Sequence, residues 1–467
     1  MPEIHDLGCH DLTQCYRSGE LSPVEVARDC LTRIDRNSGL NAFMPIAPEP
    51  VMAAAAASEA RWRKAEPLSP ADGVPATVKD NIWLKGYPAR RGSKTGGSEP
   101  VKADSPAVAR LREAGAVILG KTCMPEHGWI GACHSPLTGT TRNPWSPDHT
   151  PGGSTGGGAV AAALGLGLMH LGTDGAGSLR IPASFSGVVG MKPSFGLVPV
   201  YPALLLTVLS HQGPIARTVA DAAAMLSVIA QPDARDMASL NTPAQDFTEG
   251  LEGGVKGLRV ALSMRLGHVK SLDPDIEKAV REVARALEAQ GAIVEEADPP
   301  LTRTLEYIRA MWWPVAAAIV DAVPAERRTD MDKGFLTIAR RGLAYTIADY
   351  LAAYTARSEL HNAMRGFHEN YDLLLTPTMP VTALKVGMEM PEQGNWGDDW
   401  LNWSPYTYPF NLTQQPAISV PCGLARNGLP IGAQLVGGLG EDRLVLRAAR
   451  AVERALPMLR PPVSVSL

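Results

Sequence analysis

The amino-acid sequence predicts an α/β fold, in which a large, mixed and twisted β-sheet lies between layers of helices. Short buried strands alternate with helical segments along most of the 467 residues, a pattern typical of α/β sandwiches. The apolar runs Ala116-Val-Ile-Leu119 and Asp372-Leu-Leu-Leu-Thr376 have the length of buried strands. Pro416 to Val436 is interpreted as two strands around a hairpin turn at Arg426-Asn-Gly428.

Two helices are predicted before the first strand. The first begins at Ser22, which can cap it, and Pro23 suits its first helical position while Glu25 completes a capping box. The second helix is rich in alanine and is expected from Val51 to Ala65. A stretch rich in glycine and proline then begins at Leu68.

The alternation of strands and helices begins after this stretch. A short buried strand over Ala76-Thr-Val78 leads into Lys79, and a helix is predicted from Ser105 to about Gly115. A helix of small residues is predicted from Gly158 to Leu168. A strand–helix–strand unit is predicted from Leu258 to Glu295, with its helix from Asp273 to Gly291. A helical cover is predicted from Thr302 to Met364, and an aromatic loop from Met388 to Tyr408.

The composition indicates a soluble globular protein. Hydrophobic residues make up 45% of the chain and the net charge is −4, which gives no reason to expect nucleic acid or a membrane surface as a partner. The N-terminus lacks the features of a secretory signal, and no apolar run is long enough to span a membrane. Six scattered cysteines predict free thiols in a reducing cytoplasm, and ten scattered histidines predict no metal site.

Three segments carry the residues that can support catalysis. They are Gly73-Val-Pro-Ala-Thr-Val-Lys-Asp-Asn81, Pro151-Gly-Gly-Ser-Thr-Gly-Gly-Gly158 and Gly172-Thr-Asp-Gly-Ala-Gly-Ser-Leu-Arg180. Lys79, Ser154 and Ser178 can form a relay that makes a hydroxyl nucleophilic without histidine or metal, since Ser–Lys pairs are variants of the catalytic triad.

Lys79 has two interpretations. A lysine at a strand end can extend its ammonium group into solvent or pair with the adjacent Asp80. A buried lysine instead loses the solvation of its charged form. Its pKa then falls, and a neutral amine can act as a base near pH 7.

The segment around Ser154 also matches G-x-S-x-G, the nucleophile elbow of α/β-hydrolases. That elbow requires a strand directly before the serine. The proline-rich stretch Asn143 to Pro151 cannot be a central strand, so the elbow is disfavoured. The segment is not a Walker A loop either, because no Gly-Lys-Ser/Thr follows at the required spacing.

The segment around Ser178 is a broken dinucleotide fingerprint, with Arg180 in place of the third glycine. Its glycines and alanine allow successive backbone N–H groups to point at one spot, where they could bind the oxyanion of a tetrahedral intermediate. Asp174 and Arg180 flank this loop and are expected to hold its shape through charge-assisted hydrogen bonds.

Taken together, these segments resemble the amidase signature family of C–N hydrolases. Further matching motifs follow in the family's order: Gly120-Lys-Thr122, Arg142-Asn-Pro144, Arg180 to Ser194, Gly213-Pro214, Arg217-Thr-Val-Ala-Asp221, Pro409-Phe-Asn-Leu412 and Gln415-Pro416. The resemblance spans nearly the whole chain and is weakest from about residue 235 to 370. It implies one amidase domain over 1–467, with N-terminal helices (1–67), a catalytic core (68–235), a variable cover (236–370) and a C-terminal part of the core (371–467).

The resemblance also implies catalytic roles. Ser178 stands where the family has its acyl-forming nucleophile, Ser154 where it has a bridging serine, and Lys79 where it has the general base. A cis peptide bond is expected between Gly153 and Ser154, because the family's bridging serine follows one. The implied reaction is hydrolysis of a small-molecule amide, with esters and carbamates as further substrates and without a cofactor or metal. A homodimer is compatible with the resemblance.

The oxyanion hole is expected to consist of the N–H groups of Gly175, Ala176 and Gly177 beside that of Ser178. Two residues depart from the family pattern. Thr155 follows the bridging serine where a second serine is usual, but it keeps a hydroxyl for structural support. Ala176 replaces a glycine, so its backbone must adopt a conformation that a residue with a Cβ tolerates.

By the resemblance, the walls of the acyl pocket would come from Met124 to His134 and from Trp396 to Tyr408. Met124, Trp129 and Trp403 are therefore candidate substrate-binding residues, with ordinary core packing of the aromatic rings as the alternative. If these residues line the site, an apolar or aryl acyl group is favoured.

A second function shares the same signature: the glutaminase component of a tRNA-dependent amidotransferase, which needs partner subunits. The tyrosine-rich helical motif with arginine expected for its glutamine site is not evident around Ala339 to Ala356. A non-catalytic binding protein on the same scaffold is a third class, which the presence of all three relay residues disfavours.

Overall fold

The computed structural model describes residues 3–203, 206, 208–457 and 460–462. Within them, thirteen α-helices span α1 Cys9–Ser18, α2 Pro23–Arg36, α3 Pro48–Arg63, α4 Pro106–Glu113, α5 Gly156–Ala163, α6 Arg180–Ser186, α7 Val219–Ile229, α8 Pro274–Ala289, α9 Thr304–Asp321, α10 Lys333–Gly342, α11 Ile347–Phe367, α12 Pro409–Leu412 and α13 Asp442–Ala455. Twelve strands span β1 Pro75–Lys79, β2 Val117–Thr122, β3 His134–Ser135, β4 Gly139–Thr140, β5 Met169–Asp174, β6 Val189–Lys192, β7 His211–Ala216, β8 Arg259–Leu262, β9 Ile293–Glu296, β10 Leu373–Pro377, β11 Ala417–Leu424 and β12 Pro430–Gly437.

Ten of these strands form one mixed sheet in the order β2-β1-β5-β7-β6-β11-β12-β10-β8-β9. The strands at each end pair in parallel, as β1 does with β2 and β5 and β8 does with β9 and β10. From β5 through β10, each strand pairs antiparallel with the next one in the sheet. The predicted mixed sheet is therefore confirmed.

Helices cover both faces of the sheet. The alternation along β10 makes the two faces distinct, because Leu373 and Leu375 pack into one apolar cluster with residues of α7, α8 and α13. The intervening Leu374 packs into a second cluster with residues of α9, α10 and α11. Successive side chains of a strand point to opposite faces, so the fold has three layers, α/β/α, as the sequence predicted.

Several local predictions are confirmed. Ser22 accepts a hydrogen bond from the Glu25 N–H while the Glu25 carboxylate accepts one from the Ser22 N–H, which completes the capping box of α2. Asp273 caps α8 by accepting from the Asp275 N–H. The predicted hairpin is present as β11 and β12.

The small-residue helix is shorter than predicted. It ends at Ala163 rather than near Leu168, because Gly165 and Gly167 adopt positive φ values of 63° and 119° and turn the chain into β5. The predicted helical cover consists of three helices, α9 to α11. Over the described residues, no helix has both the length and the apolar character required to cross a membrane.

Candidate functional site

Lys79 ends β1, an interior strand of the sheet whose five residues are all buried. Its side chain is fully buried, so the alternative of a solvent-exposed strand-end lysine is wrong. Asp80 pairs with Lys121 instead, at 3.1 Å. The Lys79 Nζ lies 2.6 Å from the Ser154 Oγ and 2.9 Å from the Thr173 Oγ1.

Burial decides the protonation state of Lys79. Desolvation lowers the pKa of this lysine to about 7, against smaller upward effects of Cys133 and Asp174. An ordinary lysine amine has a pKa near 10.4 and is almost fully protonated at pH 7. The Lys79 amine therefore exists in comparable amounts of its charged and neutral forms near neutral pH, and the neutral form can accept a proton.

Ser154 lies in a tightly packed turn before α5. The predicted cis peptide bond between Gly153 and Ser154 is present. A Cβ on Gly153 would lie 2.2 Å from the Ala132 carbonyl oxygen, so no larger residue fits there. No strand precedes Ser154, because the described residues between Thr140 and α5 contain only an isolated β-bridge at His149. A nucleophile elbow requires a strand directly before its serine, so that interpretation is excluded.

Ser178 lies in the loop between β5 and α6, and Thr155 ties this loop to the turn that carries Ser154. The Thr155 N–H donates to the Ser178 carbonyl at 3.2 Å, and the Thr155 hydroxyl donates to the Thr173 carbonyl at 3.2 Å. Ser154 and Ser178 line the same cavity. Among the described residues, no hydrogen bond joins their two hydroxyls, so the Ser178-to-Ser154 step of the relay stays a prediction.

The backbone of the Ser178 loop accommodates the departure at Ala176. Ala176 is outside the left-handed region, so its Cβ introduces no strain, and its carbonyl accepts a hydrogen bond from the Thr407 hydroxyl at 2.7 Å. Gly177 does adopt a positive φ of 123°. Its N–H already donates to the Asp174 Oδ1 at 2.8 Å, which removes Gly177 from the predicted oxyanion donors and leaves Gly175, Ala176 and Ser178.

Asp174 and Arg180 hold this loop in place, as the sequence predicted. Both side chains are fully buried, and Arg180 makes a bidentate pair with Asp174 through two bonds of 3.0 Å. The Asp174 carboxylate also accepts the Leu179 N–H and an Asn411 amide N–H. Burial raises the pKa of Asp174, but the charge and hydrogen bonds of Arg180 outweigh that effect and hold the pKa below its usual range.

We expect Asp174→Asn to lower the free energy of unfolding by about 3–5 kcal/mol, because it leaves the buried Arg180 charge with neutral hydrogen-bond partners and without its ion-pair partner. Urea denaturation at neutral pH measures this change. The control is Glu282→Gln, which breaks a 2.8 Å pair with Arg285 that is largely exposed, and it should change the free energy by less than about 1 kcal/mol. Equal effects of the two substitutions would contradict the structural role of Asp174.

The cavity at Ser154 and Ser178 encloses about 130 Å³. The polar wall of this cavity includes Asn81, Arg91 and His127, and its apolar wall includes Trp312 and Ile319 of α9. The chain segments that contribute to this cavity are far apart in sequence. Of these wall residues, the sequence pointed only to Asn81, which lies in the Lys79 segment, and to His127, which lies within the predicted pocket segment Met124 to His134.

The predicted substrate-binding residues do not line this cavity. Trp129 and Trp403 are buried in the second apolar cluster. Trp403 stacks on Phe185, and its indole N–H donates to the Glu389 carbonyl at 2.9 Å. Met124 is also buried, behind Gly128, whose Cβ would lie 3.6 Å from the Met124 Cε. The packing of the two tryptophans agrees with the alternative of core packing, and a role of the three residues in substrate binding stays a prediction. His127 and Gly128 of the same predicted loop do line the cavity.

Thr173 is a functional candidate that sequence reasoning missed. Its hydroxyl accepts hydrogen bonds from the Lys79 ammonium group or amine and from the Asn81 amide at 3.1 Å. Thr173 stands one residue before Asp174 in the Ser178 segment, so the signal was its position beside residues already singled out. The Lys79 Nζ therefore lies between the Thr173 and Ser154 hydroxyls, at 2.9 Å and 2.6 Å.

Comparison with known proteins agrees with this geometry. The family model described as Amidase matches residues 25–446. The acylamidase of Rhodococcus erythropolis is 35% identical over 97% of this chain and 96% of its own length. A glutamyl-tRNA(Gln) amidotransferase subunit of Myxococcus xanthus is 34% identical over 97% of this chain and 98% of its own length.

Solved structures show the same fold. A bacterial aryl acylamidase of the amidase signature enzymes superposes with a TM-score of 0.89 and 29% identity, covering 97% of both chains. A 6-aminohexanoate cyclic dimer hydrolase, solved with its substrate, superposes with a TM-score of 0.88 and 28% identity, covering 98% of this chain and 99% of its own.

Proposed function

Because this chain belongs to the amidase family, we propose that it hydrolyses carboxylic amides through an acyl-enzyme formed on Ser178. The observation that carries the proposal is the buried Lys79, whose amine has a pKa of about 7 and lies 2.6 Å from the Ser154 hydroxyl. A base with a pKa near the working pH combines a useful neutral fraction with a sufficient affinity for the proton.

In the proposed reaction, neutral Lys79 takes a proton from Ser154 as Ser154 takes one from Ser178. The Ser178 Oγ attacks the amide carbonyl, and the N–H groups of Gly175, Ala176 and Ser178 bind the oxyanion. Ser154 then returns a proton to the leaving nitrogen, which departs as a neutral amine. Water, activated by the same relay, hydrolyses the acyl-enzyme. Esters and carbamates could follow the same path.

The glutaminase component of an amidotransferase is the second candidate, favoured by the identity to the Myxococcus xanthus protein. Glutamine carries an α-ammonium group next to its α-carboxylate. No Asp or Glu is among the described residues that line the cavity, so the ammonium group would lose its solvation there without a counter-charge. This argument favours a substrate without an ammonium group.

The purified chain, tested alone, distinguishes the two functions. We expect it to release 4-nitroaniline from 4-nitroacetanilide and to release no ammonia from glutamine. Copurification with a second protein, together with ammonia release from glutamine that depends on it, would overturn the first proposal in favour of the second.

A further inference from the structure

The polar wall of the catalytic cavity contains three buried atoms without hydrogen-bond partners among the described residues. They are the Arg91 Nε, the Asn81 Oδ1 and the His127 Nε2. The large majority of buried polar atoms in proteins have a partner, and exceptions require an explanation such as a ligand. Since these three residues line one cavity next to Ser178, they point to a polar group of the substrate.

The backbone holds Arg91 close to the base. Arg91 and His127 both adopt left-handed conformations, with φ values of 57° and 51°, and the His127 N–H donates to the Arg91 carbonyl at 2.8 Å. The N–H of the next residue, Gly92, donates to the Asp80 Oδ2 at 2.8 Å. Asp80 directly follows Lys79, so Arg91 is anchored to the end of the catalytic strand.

The charge of Arg91 has no close counter-charge. Its guanidinium group forms no hydrogen bond or ion pair with any residue in the described part of the chain, although it is half-buried. Burial lowers the pKa of Arg91, and Asp80 opposes this effect at longer range, but the Asp80 carboxylate is occupied by Lys121 and the Gly92 N–H. A guanidinium group remains protonated in proteins, so an anion in the cavity would compensate this charge.

His127 contributes hydrogen bonding rather than charge to this wall. Its ring stacks on Phe335 with centroids 5.3 Å apart, and burial lowers its pKa to about 4. It is therefore neutral near pH 7. When Lys79 is neutral, Arg91 is therefore the residue that carries a full positive charge among the described residues that line the cavity.

We propose that Arg91 binds a carboxylate carried by the amide substrate, while the apolar wall of α9 packs against the rest of that substrate. A planar guanidinium group matches a carboxylate through two parallel hydrogen bonds. The Asn81 Oδ1 is placed to accept an N–H of the substrate. This proposal rests on the proposed amide hydrolysis and makes anionic amides its preferred substrates.

The test uses two matched substrate pairs, which place the carboxylate on either side of the scissile bond. On the acyl side, the pair is succinyl 4-nitroanilide and pentanoyl 4-nitroanilide. On the amine side, it is 4-acetamidobenzoate and 4-methylacetanilide. We expect Arg91→Gln to lower kcat/KM for the preferred anionic substrate roughly 10- to 100-fold, the effect of losing a hydrogen-bonded charge, and to leave its neutral partner within about twofold.

Arg90→Gln is the control, because it removes the same charge from the neighbouring residue, which does not line the catalytic cavity. It should leave all four substrates unchanged. Equal losses for anionic and neutral substrates in Arg91→Gln, or no loss for either, would overturn the proposal.

A binding measurement separates this proposal from the catalytic one. In the Ser178→Ala background, calorimetry with the two anionic substrates should show weaker binding of the preferred one when Arg91→Gln is added. The variant Arg91→Gln with Ser178 intact should still be labelled by a neutral fluorophosphonate probe. If the fluorophosphonate fails to label the wild type, the proposed acyl-enzyme is contradicted. If Arg91→Gln leaves the binding of both anionic substrates unchanged, only the role of Arg91 is contradicted.

Discussion

Replacing Ser178 with alanine is expected to abolish covalent turnover and to lower kcat by roughly 10⁶-fold, the loss seen when a serine nucleophile is removed. The reason is that the Oγ forms the acyl bond, and no other group can take its position in the loop between β5 and α6. Intact-mass spectrometry after treatment with a fluorophosphonate should show a single adduct on wild type and none on Ser178→Ala. Loss of 4-nitroacetanilide hydrolysis should accompany the missing adduct.

Ser210→Ala is the matched control, because Ser210 is also a buried serine that lines the cavity but has no place in the relay. It should keep both the adduct and most of the activity. Ser154→Ala should be impaired somewhat less than Ser178→Ala. An adduct that persists on Ser178→Ala would show that Ser154 or another residue is the nucleophile and would contradict the proposed mechanism.

The second large effect concerns Lys79 and pH. Burial lowers the pKa of Lys79 to about 7, and only the unprotonated amine can accept a proton. Consequently kcat/KM should increase about tenfold per pH unit below pH 7 and level off above it. Lys79→Ala should be crippled at every pH, because the relay then has no base.

Lys79→Arg tests whether the proton acceptor, rather than the positive charge, matters. Arginine keeps a charge near Ser154 but remains protonated over the whole accessible range, so this variant should be as inactive as Lys79→Ala. Near-normal rates of Lys79→Ala around pH 7 would show that another group is the base. A wild-type profile that rises near pH 10 instead of pH 7 would contradict the lowered pKa.

Much of the catalytic machinery could be predicted from the sequence because its members stand in short segments of small residues. Lys79, Ser154 and Ser178 each lie in such a segment, where close packing restricts which residue types fit. At Gly153 a side chain would strike the backbone of the preceding loop. Residue types at single positions also account for the capping box at Ser22 and for the hairpin turn between β11 and β12.

The walls of the cavity could not be predicted in the same way. Arg91 is one of two adjacent arginines, and nothing in the local pattern distinguishes the one that faces the cavity from the one that does not. Trp403 is an aromatic residue in an irregular segment, and its burial against Phe185 depends on the packing of segments more than 200 residues apart. The hydrogen bond from the Gly177 N–H to Asp174 depends on how the loop turns.

By itself, the sequence determined the α/β architecture and the pairing of Asp174 with Arg180, because local hydrophobic patterns and small-residue segments constrain the chain wherever they occur. The relay of Lys79, Ser154 and Ser178 is a prediction from the family resemblance of three such segments. Only the tertiary structure decided that Lys79 is desolvated, that Thr173 accepts a hydrogen bond from its amine, and that Arg91 and α9 line one cavity. The physical reason is that solvation and side-chain contact depend on which distant segments exclude water from a given atom. That exclusion exists only after the ten-stranded sheet and its helical layers have assembled.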